Sequence, residues 1–245
     1  MHKSFSRLQT LLYLLLSLAI LPPAISITQN TWLEGPSSHS IGTQGAVAWV
    51  GEAEKLARQG KFDAALPFYE KAISALSPYP ARQQALRYRY GIVLNALGAK
   101  SRPDLYPLAR AQFQSVLNYL DSGAELPHSA ARVRSAMAHT YHQQAANEET
   151  VTQRTHLLNT AYFLYKSAVD GLSAQQEWHN LAITYFNIGQ VCEWQGNLEE
   201  AITWLEKAVK LDLQHKLPDL EEDSDYLTTL RQQVEPIEQN SETTL

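Results

Sequence analysis

Histidines are the residues of this sequence whose spacing comes closest to that of a reactive site. His139 and His142 are three residues apart in a predicted helix, so both imidazoles would face one side, where they could bind a metal ion. His128 and His156 lie in the same region. No cysteine or acidic residue completes a ligand set at a recognisable spacing. The pattern therefore favours a polar helical face over a metal centre.

The other potentially reactive groups are isolated from one another in the sequence. Cys192 is the only cysteine, which rules out an internal disulfide, and the acidic residues Glu221–Asp223 precede a predicted helix whose N-terminus they would suit. The sequence contains no nucleophile elbow, phosphate-binding loop or zinc-protease motif. We therefore predict that the protein is not an enzyme and has no catalytic residue, cofactor or bound metal.

Composition indicates a folded chain and argues against a nucleic-acid-binding protein. Of the 245 residues, 44% are apolar and 18% are charged, which is enough apolar surface for a core. Lysine and arginine total 20 against 25 acidic residues, a net charge of -5, and no basic run follows the first residues. We therefore expect no nucleic-acid partner.

The N-terminus has the pattern of a secretory signal peptide. His2, Lys3 and Arg7 are followed by an almost purely apolar stretch, Leu11–Leu21, and Ser26 ends a short segment of small residues. We predict that residues 1–26 are a signal peptide cut after Ser26, or an uncleaved membrane anchor through residues 8–26. The chain would then be exported to a periplasm, a thylakoid lumen or the cell exterior, or would be held at a membrane, with residues 27–45 as a linker.

Two segments of the remaining chain repeat each other. Placing Gly60 under Gly196 aligns Glu54–Pro78 with Gln190–Leu213 without a gap. Small residues at matching positions would let two helices approach closely, and each glycine would turn the chain between them. The matched positions are Trp49 with Tyr185, Ala53 with Gly189, Leu56 with Cys192, Phe62 with Leu198, Ala65 with Ala201, Tyr69 with Leu205, and Ala72 with Ala208. Each segment is therefore predicted to be a helical hairpin.

These hairpins resemble the tetratricopeptide repeat, a helix-turn-helix unit of about 34 residues that stacks into a solenoid. The resemblance is strongest over 182–215 and 46–79, and looser hairpins are predicted near 84–123 and 131–173. It implies an all-α fold, a right-handed α-solenoid of about four hairpins over 46–217. In the third hairpin, the stretch between the helices contains neither glycine nor proline, so we expect extra helical turns there.

The C-terminal part of the chain is predicted to close this array. A capping helix is expected over 218–234, with Ser224 as its N-cap, because an open solenoid end needs a solvated cover. Residues 235–245 are predicted to form a flexible tail.

The resemblance also implies a partner-binding groove lined by the first helix of each hairpin. Cys192 falls on a position that the repeat buries. The groove residues carried over from the family are Glu54, Tyr88, Arg89, Asn95, Arg132, His139, Phe186, Asn187 and Gln190. The Lys/Asn clamp by which some relatives hold a C-terminal carboxylate is not reproduced, because Val50 and Glu54 occupy two of its places.

Three hypotheses for the function follow. The first is a non-catalytic scaffold that binds a peptide or protein partner in complex assembly or envelope organisation, with membrane contact only through the N-terminal segment. The second is a structural protein that self-assembles into homo-oligomers through its open ends. The third, and weakest, is a metal-dependent enzyme using the His139 and His142 region.

Overall fold

The computed structural model describes the backbone of residues 40–242 and the side chains of residues 45–234. Within those bounds all regular structure is helical, with nine α-helices, one short 3-10 helix and no strand. The prediction of an all-α fold built from helical hairpins is confirmed. The predicted signal or anchor segment, residues 1–26, lies outside the described residues. Among the described helices, none has both the length and the apolar character to cross a membrane.

The chain divides into two compact units, and the first extends to His128. Its helices pack in consecutive pairs, α1 against α2 and α3 against α4, which makes two hairpins. A 3-10 turn, Pro103–Leu105, leads into α4, whose first turn contains Pro107 as the sequence indicated. The four helices are α1 (Ser40–Arg58), α2 (Phe62–Ala75), α3 (Pro80–Lys100) and α4 (Tyr106–Asp121).

The second unit begins at Ser129 and contains two further hairpins and a final helix. Helix α5 packs against α6, α7 packs against α8, and α9 packs against α8. The five helices are α5 (Ala130–Ala146), α6 (Val151–Ala174), α7 (Trp178–Trp194), α8 (Leu198–His215) and α9 (Leu220–Glu242).

The two aligned glycines end their helices in the same way. Gly60 has a φ of +69° and Gly196 a φ of +84°, in the left-handed region that favours glycine. In each turn the next residue donates its backbone N–H five residues back, from Lys61 to Leu56 and from Asn197 to Cys192. This six-to-one hydrogen bond satisfies a carbonyl that the helix end would leave unpaired. The prediction that both glycines reverse the chain is confirmed.

The matched small residues lie where the helices of each hairpin meet. Ala53, Ala65, Ala201 and Ala208 expose no surface. A Cβ on Gly189 would lie 2.8 Å from Cγ of Leu205, which is too close for two carbon atoms. Helix α7 therefore approaches α8 at a distance that only glycine allows at this position.

The insertion in the third hairpin adds helical turns to α6, as predicted. This helix spans Val151–Ala174, which is 24 residues and longer than the other helix of the hairpin, Ala130–Ala146. Residues 147–150 form a short non-helical connection before it. The insertion therefore lengthens one helix of the hairpin while the turn stays short.

Two predictions at the C-terminus need correction. Ser224 is not an N-cap, because α9 begins at Leu220 and the Ser224 hydroxyl donates to the Leu220 carbonyl from inside the helix. The first turn of α9 contains Glu221, Glu222 and Asp223. Negative side chains at this end are stabilised by the positive end of the helix dipole. The helix also continues through residues 235–242, which we had placed in a flexible tail.

Candidate partner-binding surface

Two of the predicted groove residues bind each other within the first unit. Nη1 of Arg89 lies 3.0 Å from Oε1 of Glu54, and this ion pair links α3 to α1. The Tyr69 hydroxyl donates to the same carboxylate oxygen, and burial together with the negative charge of Glu54 raises the pKa of Tyr69 well above its usual range. Glu54 is buried, whereas 23% of the Arg89 side chain is exposed. Arg89 therefore combines a structural role with partial access to a partner.

The other two predicted groove residues of this unit belong to its packing. Tyr88 is buried, with its ring stacked 4.1 Å from that of His128 and tilted against Phe113. Asn95 is also buried. Neither side chain presents an open surface to a partner.

In the second unit, the first helices of the two hairpins lie side by side. The hydroxyls of Ser135 on α5 and Thr184 on α7 are 2.8 Å apart. Arg132 is in the first turn of α5, where its backbone N–H is capped by Ser129, and its side chain is 27% exposed with Nε 4.0 Å from the Glu177 carboxylate. Arg132 is therefore a partly accessible cation on this face.

The two histidines of α5 have different surroundings. His139 keeps part of its surface exposed and lies 3.1 Å from the Gln143 amide nitrogen. His142 is fully buried, with its ring edge-on to Trp194 at 4.5 Å between centroids and to Tyr165 at 6.3 Å. Burial lowers the pKa of His139 to about 4 and that of His142 to about 3. Both imidazoles are therefore neutral at pH 7.

The two imidazole rings do not form part of a larger ligand set. Their centroids are 6.3 Å apart. In the part of the chain that the structure describes, no three side chains of His, Cys, Asp or Glu come together in a way that could hold a metal ion.

Helix α9 covers the groove positions of the fourth hairpin. Phe186 is fully buried and packs against the ring of Tyr226 at 5.1 Å between centroids. The Tyr226 hydroxyl donates to the Glu193 carboxylate and is also hydrogen-bonded to Gln190. Asn187 is buried as well. The final helix therefore occupies the place that we had predicted for a partner beside α7.

Four of the nine predicted groove residues remain partly exposed, namely Arg89, Arg132, His139 and Gln190. The five buried ones fill space between neighbouring helices. Aligning a sequence with the repeat pattern does not show which positions will be buried in this way and which will stay on the surface. Sequence reasoning did not foresee that α9 covers α7. The signal was present in Tyr226, Leu227 and Leu230, whose spacing gives α9 an apolar face.

Cys192 packs inside the fourth hairpin, as the repeat register predicted. It is a free cysteine with no exposed surface. Burial and the nearby Glu200 carboxylate raise its pKa to about 12, so the sulfur is a thiol at neutral pH. A nucleophilic cysteine needs an accessible site with positive charge nearby, which lowers its pKa, whereas Cys192 is buried beside a carboxylate.

A cleft of about 510 Å³ lies beside the added turns of α6, and sequence reasoning did not assign it. Its walls come from one face of α6 and from the turn between α7 and α8. The sequence signal for this cleft was the insertion itself, because the added turns supply one of its walls.

The fold and these surfaces define a class of helical-hairpin repeat proteins. The family model described as Tetratricopeptide repeat matches residues 178–215, which span α7 and α8. No curated protein matches the chain. The fourth hairpin is therefore similar to a tetratricopeptide repeat, a type of repeat that generally serves as a non-catalytic protein-binding module.

Proposed function

We propose that this protein is a non-catalytic scaffold that binds a peptide or protein partner through the exposed parts of its first helices. The observation that carries the proposal is the pairing of first helices within each unit, by Arg89 with Glu54 and by Ser135 with Thr184. This pairing leaves polar side chains such as Arg132 and His139 partly open beside a rigid backbone. Rigid elements that present polar side chains are suited to recognition, because little ordering is needed on binding.

The proposed setting is outside the cytoplasm or at a membrane, in complex assembly or envelope organisation. The support is the signal-like pattern of residues 1–26. Intact mass measurement of the chain from its native cells tests this setting. A mass that begins at Ile27 supports export with cleavage, and a full-length chain in the membrane fraction supports an anchor. A full-length chain in the soluble fraction contradicts both.

The partner-binding proposal is tested by affinity capture from native membrane and soluble fractions. The informative variant is Arg132→Gln, because it removes a partly exposed charge without setting a second carboxylate against Glu177. Arg89→Glu is unsuitable, because it would set a second carboxylate against the buried Glu54. Lys210→Gln is the matched control, an equal loss of charge at an exposed position of α8.

The proposal predicts a partner that the unmodified chain and the control retain and that the Arg132 variant loses. Equal capture by all three chains would overturn binding at this surface. Capture of further copies of the same chain alone, confirmed by a solution mass measurement, would replace the proposal with self-assembly.

A further inference from the structure

Helix α9 is held to the second unit by few buried side chains. Over residues 220–234, where its side chains are described, the buried ones are Asp223, Leu227 and Leu230. Each of the other four helices of this unit buries between six and nine side chains. A segment with few buried apolar contacts opens at a lower free-energy cost than the rest of a fold. We therefore expect α9 to open before the hairpins do.

A cluster of like charges lies under the start of α9. The Asp212 carboxyl of α8 faces the carboxyls of Asp219, just before α9, and of Asp223 in its first turn, and all three aspartates are buried. His179 of α7, with its ring nitrogen 2.8 Å from Asp219, offers them one positive charge at most. Since one imidazole does not match three carboxyls, this cluster opposes the docking of α9.

Helix α8 closes its own C-terminus without help from α9. Lys216 has a left-handed φ of +53°, and the Leu217 N–H donates to the Asp212 carbonyl at 2.9 Å. Residues 216–219 then connect the two helices outside any helix. This short link lets α9 leave the surface while α8 stays in place.

The contacts of α9 with α7 are those of a ligand on a first helix. The Tyr226 ring packs on Phe186 at 5.1 Å between centroids, and its hydroxyl donates to the Glu193 carboxylate. Leu227 and Leu230 are buried one and four residues further along the same helix. An amphipathic helix with apolar anchors at such spacings is a recurring ligand of helical grooves. Helix α9 therefore shows which kind of segment this surface fits.

We propose that the α7 surface binds an amphipathic helix of a partner protein, and that α9 covers this surface until the partner replaces it. The partner helix carries a tyrosine that packs on Phe186 and donates to Glu193, with apolar residues one and four positions later. As a tethered segment, α9 competes at a high effective concentration, so it sets a threshold for binding. This proposal rests on the scaffold function, since it names the ligand class of one first helix and the segment that controls access to it.

Hydrogen–deuterium exchange of the full chain, measured by mass spectrometry at pH 7, tests whether α9 opens alone. The amides of residues 220–234 should exchange through an opening that leaves α7 and α8 protected. Tyr226→Phe should increase this opening about tenfold, because it removes a hydrogen bond to a carboxylate. Tyr162→Phe is the matched control, since it removes the same kind of bond, to Glu200, between α6 and α8. Asp212→Asn should reduce the opening, because it removes one of the like charges.

A synthetic peptide copy of residues 218–242 is the probe for the α7 surface. The immobilised peptide should bind the Tyr226→Phe chain about tenfold more tightly than the unmodified chain, because α9 of that variant vacates the surface more often. A control peptide with Tyr226→Ser and Leu230→Ser should bind neither chain. The Arg132→Gln chain should bind the probe as the unmodified chain does, because Arg132 lies on α5.

Each outcome decides the proposal. Local opening of α9 that increases in Tyr226→Phe but not in Tyr162→Phe, together with tighter binding of the probe, supports it. Exchange of α9 only together with α7 and α8 would make it an integral cap and overturn the proposal. Equal binding of both peptides, or no binding of the probe to the Tyr226→Phe chain, would overturn it as well. The scaffold function is decided separately by affinity capture with Arg132→Gln, so the two proposals can fail independently.

Discussion

At the scale of single residues, close helix contacts depend on glycines that have no room for a side chain. Gly91 and Gly98 of α3 face Phe113 and Tyr106, where a Cβ would lie 2.7 Å and 2.9 Å from ring atoms. Gly171 of α6 faces Ala131 at a similar distance. These positions set how closely paired helices approach, so they contribute to stability through packing.

Gly189→Ala is expected to destabilise the protein by about 1–3 kcal/mol, because the added methyl would collide with Leu205 and with the Ala201 backbone carbonyl. Gly51→Ala is the matched control, since nothing lies within 4 Å of the Cβ that it would add to the exposed face of α1. The control should gain up to about 1 kcal/mol from the higher helix propensity of alanine. Urea unfolding measures both free energies, and equal effects would contradict the packing argument.

Glu54→Gln should destabilise the first unit, because Arg89 would lose the carboxylate that holds it against α1. The loss should stay below the about 3–5 kcal/mol seen for fully buried pairs, since Arg89 keeps contact with water. Glu52→Gln is the control on the same helix, where the pair with Lys55 is exposed and a change within about 0.5 kcal/mol is expected.

A double-mutant cycle separates the Glu54–Arg89 pair from other effects of each change. Arg89→Gln on the Glu54→Gln background should cost less than Arg89→Gln alone, because the charge that it would strand is already absent. Strict additivity of the two changes in denaturant unfolding would show that the pair adds no coupling energy.

At the scale of helices, α5 contributes a buried histidine that makes the second unit sensitive to acid. The folded state keeps His142 neutral down to a pKa of about 3, whereas the unfolded chain takes up a proton below about pH 6.5. Protonation of His142 in the unfolded chain therefore does not reduce the free energy of unfolding above about pH 6.5, and reduces it progressively as the pH falls below that value. The loss amounts to about 1.4 kcal/mol per pH unit for one group.

His142→Phe should remove this acid sensitivity while keeping an aromatic ring beside Trp194. The fall in unfolding free energy between pH 8 and pH 5 should shrink by about 2 kcal/mol relative to the unmodified protein. His156→Phe, at an exposed position of α6, is the control and should keep the original pH dependence. Parallel pH curves for the unmodified protein and the His142 variant would disprove the role of His142.

Buried aspartates where α9 packs against α8 should change the stability with pH in the opposite direction to His142. Three aspartates are buried here: Asp212 of α8, Asp219 just before α9, and Asp223 in the first turn of α9. Asp219 lies 2.8 Å from the His179 ring nitrogen. Burial is the largest cause that raises the pKa of Asp212. A raised carboxyl pKa means that this group stabilises the fold when protonated, and that the contribution is lost as the pH rises toward neutrality.

Asp212→Asn should therefore stabilise the protein at pH 7, with a gain that disappears as the pH falls below about 4, where the unfolded aspartate is also protonated. Asp225→Asn, at an exposed position of α9, is the control and should lack this pH-dependent gain. Thermal melts over a pH series measure the stability of both variants. A gain for Asp212→Asn that grows as the pH falls would contradict a raised pKa for Asp212.

At the scale of the whole molecule, the described hairpins lie within residues 40–242, and the fourth of them matches a family of protein-binding repeats. If residues 1–26 are a signal or anchor segment, as proposed, their removal should leave the helical content of residues 40–242 and the melting temperature unchanged, because such a segment is not part of the folded domain. Circular dichroism of the full chain and of a chain that begins at Ile27 makes the comparison. A substantial loss of helix in the shorter chain would contradict an export or anchoring role for the segment.

Repeat periodicity and turn chemistry let the sequence alone determine the hairpin organisation. Gly60 and Gly196, with matched small residues around them, identified two hairpins because a left-handed turn and a close helix contact each restrict the residue type locally. The added turns of α6 followed from an insertion without glycine or proline. The start of α9 did not follow, because Ser224 fits both an N-cap and a helix interior, and the acidic residues before it favoured an earlier start.

Only the tertiary structure decided which surfaces are open. Phe186 and Arg132 were both predicted to line the groove from first helices, yet Phe186 is buried under α9 and Arg132 is partly exposed. The α6 cleft likewise depends on how far one helix extends past its neighbours. A residue's exposure is set by segments distant in the chain, whereas its local conformation is set mainly by its own type and near neighbours. For that reason the sequence determined the hairpins of this protein, and the packing between them determined where a partner can bind.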